Sequence, residues 1–178
     1  MNICIECGLC CDGTIFSFVP IEPEDDVGPL REVGAILETD ETARFLQPCA
    51  ALELRCCSIY ESRPSLCRAY RCALLKRVEA GEAEVEEARD IIATVIELRD
   101  RVRPTIEAMV NPRKQEAMVT LYSLMRAKLS EGADETPAAD RAALLLDIAA
   151  LRVLLASQFD PVGTLQQKPR TRSPEVDA

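Results

Sequence analysis

Residues 4–13 read CIECGLCCDG, four cysteines within eight positions in the spacing C-x2-C-x2-C-C. Two intervening residues suffice for a tight turn that brings both sulfurs to one inorganic centre. The backbone N–H groups of such a turn can also donate to the sulfurs and offset their charge. A third cysteine at the same interval lets three thiolates surround one centre, as in the bacterial ferredoxin run. Gly8 relaxes the backbone between the second and third. The nearby closing Cys-Pro of that run is missing here, so a fourth thiolate has to come from farther along the chain. Cys49, Cys57 and Cys67 are the candidates. Cys11 follows Cys10 directly, and neighbouring side chains diverge. The doublet therefore gains a use only with a second metal or with a cluster that offers several iron corners.

Residues 48–72, PCAALELRCCSIYESRPSLCRAYRC, supply the other five cysteines, and none follows Cys72. Ser62 and Pro64 read as the opening of a helix that runs to about Val78. On one continuous helix Cys67 and Cys72 stand about 140° apart around the axis and cannot share an ordinary site. Cys67, near the helix start where the dipole favours a thiolate, is the expected ligand of the two. Cys72 is a lesser candidate, suited to packing or to an irregular helix. Cys56, beside Cys57, is the other lesser candidate. Arg63 and Arg68 sit inside this motif. A centre with four thiolates carries a net charge of about −2, which such cations would offset from a second layer.

The chain contains no histidine. That excludes Ser–His and Cys–His nucleophilic pairs, His-ligated zinc and the two-His-one-carboxylate iron site. An odd count of nine cysteines and a start without basic or apolar leader character weigh against a disulfide framework. A cytoplasmic setting with reduced thiols is expected. A dithiol redox protein would need one C-x2-C pair and leaves the remaining clusters unused. The net charge of −9 argues against a nucleic-acid partner, since phosphate backbones would be repelled. No uninterrupted apolar run approaches the ~20 residues of a membrane span, so no membrane partner is expected.

Working outward, Thr14–Val19 reads as a short strand stopped by Pro20. Residues 20–30 look like a solvated acidic loop, a weak helical pattern covers 31–38, and residues 45–60 suggest a turn and a short strand. Beyond the cysteines the pattern is helical. From Glu82 to Arg103, Val85, Ala88, Ile92, Val95, Leu98 and Val102 recur at helical spacing, and Pro104 should end or kink that helix. Asn111-Pro112 restarts a second helix, ending near Gly132. Thr136-Pro137 opens a third, with Leu144, Leu145, Ile148, Leu151 and Leu155 as its apolar stripe. Aromatic residues are only 4% of the chain, so aliphatic side chains must fill the core. The expected class is α+β, mostly α: a small, irregular cysteine-rich domain with short strands over 1–75, a helical extension over 76–160, and a disordered tail over 161–178. The extension also offers a surface for a protein partner.

Three blocks, CIECGLCC (4–11), PCAAL (48–52) and CSIYESRPSLCRAY (57–70), together resemble the CxxCxxCC family, a zinc- or iron-chelating domain. The resemblance runs from Cys4 to about Cys72. It implies Cys4, Cys7, Cys10, Cys11, Cys49, Cys57 and Cys67 as metal ligands, with Cys56 lacking a firm counterpart and Cys72 a less definite one. Flagellin lysine N-methylases are similar in the same cysteine motif, which implies that the domain can form part of an enzyme. The expected cofactor is an iron–sulfur cluster or zinc. The alternatives are a cluster-dependent enzyme acting on a protein substrate, by methyl transfer or redox chemistry, and an interaction module with structural zinc.

Overall fold

The computed structural model describes residues 3–39, 42–112, 114–131 and 137–159. The tail expected over 161–178 lies outside the described residues, as do Gly132 and Thr136. The chain is mostly α with short antiparallel strands, 57% helical, and its C-terminal part is helical.

The first cysteines lie on a single helical turn, α1 (Ile3–Cys7). Gly8 then takes φ +70°, and the N–H groups of Cys11 and Asp12 both donate to its carbonyl. The expected strand over Thr14–Val19 is shorter and later: β1 is Phe18–Pro20. Thr14, Ile15 and Phe16 are drawn into the core instead, because the Thr14 N–H is taken by the Asp12 carboxylate. Helix α2 (Gly28–Glu32) and strand β2 (Leu37–Glu38) replace the helical pattern expected over 31–38. Strand β3 (Arg44–Leu46) pairs antiparallel with both β1 and β2, giving the order β1-β3-β2. Strands β4 (Leu52–Glu53) and β5 (Cys56–Cys57) form a separate hairpin.

The helix expected from Pro64 to Val78 is two helices, α3 (Ser65–Ala69) and α4 (Ala73–Glu79). Tyr70 leaves α3 in an extended conformation, and Cys72 starts α4 as its N-cap with ψ 163°. The Cys72 sulfur accepts the Leu75 N–H at 3.3 Å, the role an oxygen usually fills at such a cap. Asp25, in what reads as a solvated acidic loop, reaches across forty positions of sequence. Its carboxylate accepts from the Ser65 N–H at 2.7 Å and from the Ser65 hydroxyl at 3.2 Å.

Pro104 does not end its helix: α5 runs unbroken from Val85 to Val110. Proline deletes one main-chain bond, but Val102 and Ile106 on either side are fully buried and hold the helix to its neighbours. Asn111 ends it in the left-handed region. Helix α6 (Met118–Ser130) starts later than the sequence suggests, and α7 (Ala138–Leu154) continues into a π-helical turn at Leu155–Phe159. Leu144, Ile148, Leu151, Leu155 and Phe159 face inward, while Leu145, predicted within the same stripe, is exposed along with Leu146 and Val153. By length and mean hydropathy (1.7), Asp140–Phe159 matches a membrane-crossing helix. It also packs on α5, where Arg101 grips the Asp147 carboxylate with two bonds.

One aliphatic core joins the cysteine-rich segment to these helices. Ile3, Leu9, Ile15, Phe16, Leu74 and Leu75 are buried in the same cluster as the inward stripes of α5, α6 and α7. A smaller cluster of Val19, Leu30 and Phe45 sits under the three-stranded sheet.

Candidate metal centre

All nine cysteines lie in the described residues, and none forms a disulfide. Eight of them line two adjoining cavities. The larger, about 80 Å³, is walled by Cys4, Cys10, Cys11, Cys49, Cys57 and Cys67. The smaller, about 50 Å³, is walled by Cys4, Cys7, Cys10, Cys11 and Cys72. Cys56, on the outer side of β5, is exposed and lines neither. All seven ligands expected from the sequence therefore reach this region, together with Cys72. Among the described residues, no three Cys, Asp or Glu side chains converge on a single point as one bound ion would require.

Each thiol is placed by a local device. The turn at Gly8 is tight because a Cβ there would stand 3.1 Å from the Arg55 carbonyl oxygen. The Arg55 guanidinium in turn donates to the carbonyls of Glu6 and Cys7, closing α1 against the β4–β5 hairpin. The Cys49 N–H donates to the Cys11 carbonyl at 2.7 Å, fixing the second cysteine block to the first. Asp12 follows the doublet and pairs with Arg99 of α5. At Gly13, a Cβ would come within 2.9 Å of the Ala117 Cα, and the Gly13 carbonyl accepts from Met118. The doublet is thus clamped onto α5 and the start of α6.

Burial is the first cause of every resolved thiol shift here, and it pushes the pKa up. Cys7 and Cys67 are raised to about 12. Cys10 and Cys11 are raised in the same direction, again chiefly by burial. Burial likewise raises Cys4, where Arg63 and then Arg71 oppose it. Backbone N–H groups face four sulfurs: Leu9 faces Cys7, Ala51 faces Cys49, Ile59 faces Cys57 and, three residues on, Leu75 faces Cys72. Each such donor favours the thiolate. Buried thiols kept neutral by desolvation but fitted with donors to their charged form suit a site completed by a cation.

Arg63 lies on the wall of the larger cavity, its guanidinium stacked over the Tyr60 ring at 3.4 Å and donating to the Tyr60 carbonyl. Its charge lowers the Cys4, Cys57 and Cys67 thiols against the effect of burial. Arg68, expected beside it, is exposed on α3 and lines neither cavity. Arg55 does line the larger one, a residue the sequence reading passed over because its position depends on an unusual hairpin turn. Gln47 is only 6% exposed, lines the same cavity, and leaves its Oε1 without a hydrogen-bond partner.

The donor set fits a soft metal. The walls hold thiols, with no carboxylate among the lining residues of either cavity. The CxxCxxCC family model, described as a "putative zinc- or iron-chelating domain", matches residues 3–91. No curated protein and no solved structure matches the chain.

Proposed function

The chain belongs to the CxxCxxCC family, and from that premise we propose that its buried thiols chelate iron as an iron–sulfur cluster rather than zinc as isolated ions. The observation that carries this is the spread of the sulfurs around open volume. A single zinc draws four sulfurs to about 2.3 Å from one point. In a four-iron cluster each thiolate takes its own iron, so the sulfurs stand around a larger object. No three donors among the described residues meet at one point. Each cavity, at about 80 and 50 Å³, exceeds the ~10–15 Å³ that one water-sized atom needs.

Such a cluster supplies one-electron redox capacity or purely structural cross-linking when bound. The protein's own contribution is to gather the thiols on the walls of two small cavities, to set backbone N–H groups beside four of them, and to place Arg63 beside the resulting negative charge. The ligands proposed are Cys4, Cys7, Cys10, Cys11, Cys49, Cys57 and Cys67, joined by Cys72.

Anaerobic purification followed by iron, sulfide and zinc analysis and a visible spectrum tests the choice of metal. Brown protein with iron and acid-labile sulfide is the expected result. Colourless protein with stoichiometric zinc overturns it in favour of structural zinc.

A further inference from the structure

We infer that the chain holds two separate thiolate centres, one on Cys11, Cys49, Cys57 and Cys67 and the other on Cys4, Cys7, Cys10 and Cys72, with the Cys10–Cys11 peptide as the divide. This rests on the chelation reading above and adds the number of centres and the partition of ligands.

The cavities make the first division. Cys49, Cys57 and Cys67 line only the larger, and Cys7 and Cys72 only the smaller. Cys4, Cys10 and Cys11 lie on the wall between and border both. Neighbouring side chains diverge, so a second centre beside the first gives Cys10 and Cys11 each a use in a different one. Cys10 packs against the aliphatic core, and the Cys11 carbonyl accepts from Cys49 just before β4.

Packing sorts the shared residues the same way. Cys4, Cys7, Cys10 and Cys72 pack against the large core cluster, whereas Cys49 and Cys67 pack against the small cluster of Val19, Leu30 and Phe45. Cys11 is tied to Cys49 through the main chain and shares the larger cavity with Cys57 and Cys67.

Cys72 completes the second set because the helix breaks before it. On one continuous helix from Ser65 to Glu79, Cys72 would stand about 140° from Cys67 around the axis. Broken at Tyr70, it swings Cys72 onto the cavity shared with Cys7. The two surroundings differ as well. Arg55, Tyr60 and Arg63 border the first centre, whereas Leu9, Leu74, Leu75 and Ile92 enclose the second.

Metal stoichiometry of the anaerobically purified full chain is the first test. Two centres give about eight iron atoms per chain, or about two zinc ions if the metal is zinc. The partition therefore survives even where the cluster reading fails, and the two failures are distinguishable. About four iron atoms or one zinc overturns it, and so does a chain that retains no metal. The second test compares C49S/C67S with C7S/C72S by metal content and electron paramagnetic resonance, with C56S as control. Each double variant is expected to lose about half the metal and one of two spectral components, while C56S keeps both. If either pair removes all metal from soluble protein, or C72S alone removes none, the two-set assignment is wrong.

Discussion

Two residues carry conformations that their side chains oppose. Leu54 and Arg55 both have positive φ, 45° and 75°, forming the two-residue turn between β4 and β5. Such a turn favours Asn or Gly, and Leu-Arg gives no such signal. Arg55 is held there by its three bonds to the carbonyls of Glu6 and Cys7. Leu54 is 99% exposed, so its side chain contributes no packing against the strain. Leu54→Asn is therefore expected to stabilise the protein by about 1 kcal/mol, read as a higher denaturation midpoint at unchanged metal content. Gly8→Ala should act in the opposite sense. Its φ of +70° costs a side chain roughly 1–2 kcal/mol, and the new Cβ presses on the Arg55 carbonyl. Because the turn sets the positions of Cys7 and Cys10, that variant should also lose metal. A G8A protein with wild-type stability and loading would mean that the turn has slack.

At the scale of elements, the cysteine spacing was legible and the helix limits were not. C-x2-C-x2-C-C announced a turn, and a turn with a donated N–H is what Cys7 receives from Leu9. The apolar stripes of α5 and α7 were readable because period and burial coincide over many residues. The break at Tyr70 was not, since it depends on a sulfur acting as an N-cap and on the Tyr70 hydroxyl reaching the Phe159 carbonyl at 3.0 Å. The same long-range origin hid the role of Asp25. Pro104 misled in the other direction, because local propensity lost to burial on both sides. Pro104→Ala restores an N–H to the helix interior. It should stabilise α5 by about 1–2 kcal/mol, less than the full ~3 kcal/mol interior penalty because the unfolded chain gains freedom. A rise in thermal midpoint checks this. A fall would show that Pro104 itself is needed for packing on α6 and α7.

For the whole molecule, the question is whether the thiol-bearing segment stands alone. The family match ends at residue 91, just inside α5. The core does not end there. Ile3, Leu9, Ile15, Phe16, Leu74 and Leu75 pack in one cluster with Val95, Val102, Ile106, Met118 and Leu121. Polar ties cross the same boundary: Asp12 to Arg99, Arg77 to the Gln158 side-chain oxygen, and the Gly13 carbonyl to Met118. Burying one such side chain stabilises by roughly 1.5–3 kcal/mol, so re-exposing half the contribution of the six costs roughly 5–9 kcal/mol. Set against a typical total of roughly 5–15 kcal/mol, that loss leaves little or nothing. A chain cut after residue 91 is therefore expected to be insoluble even when produced with excess iron, while one ending at residue 159 stays soluble and metal-loaded. Hydrogen exchange on the longer chain should show α5 and residues 9–16 opening together, as one cooperative unit. If the short chain is instead soluble and fully loaded, the metal centres alone sustain the fold, and the helices serve some purpose other than completing its core.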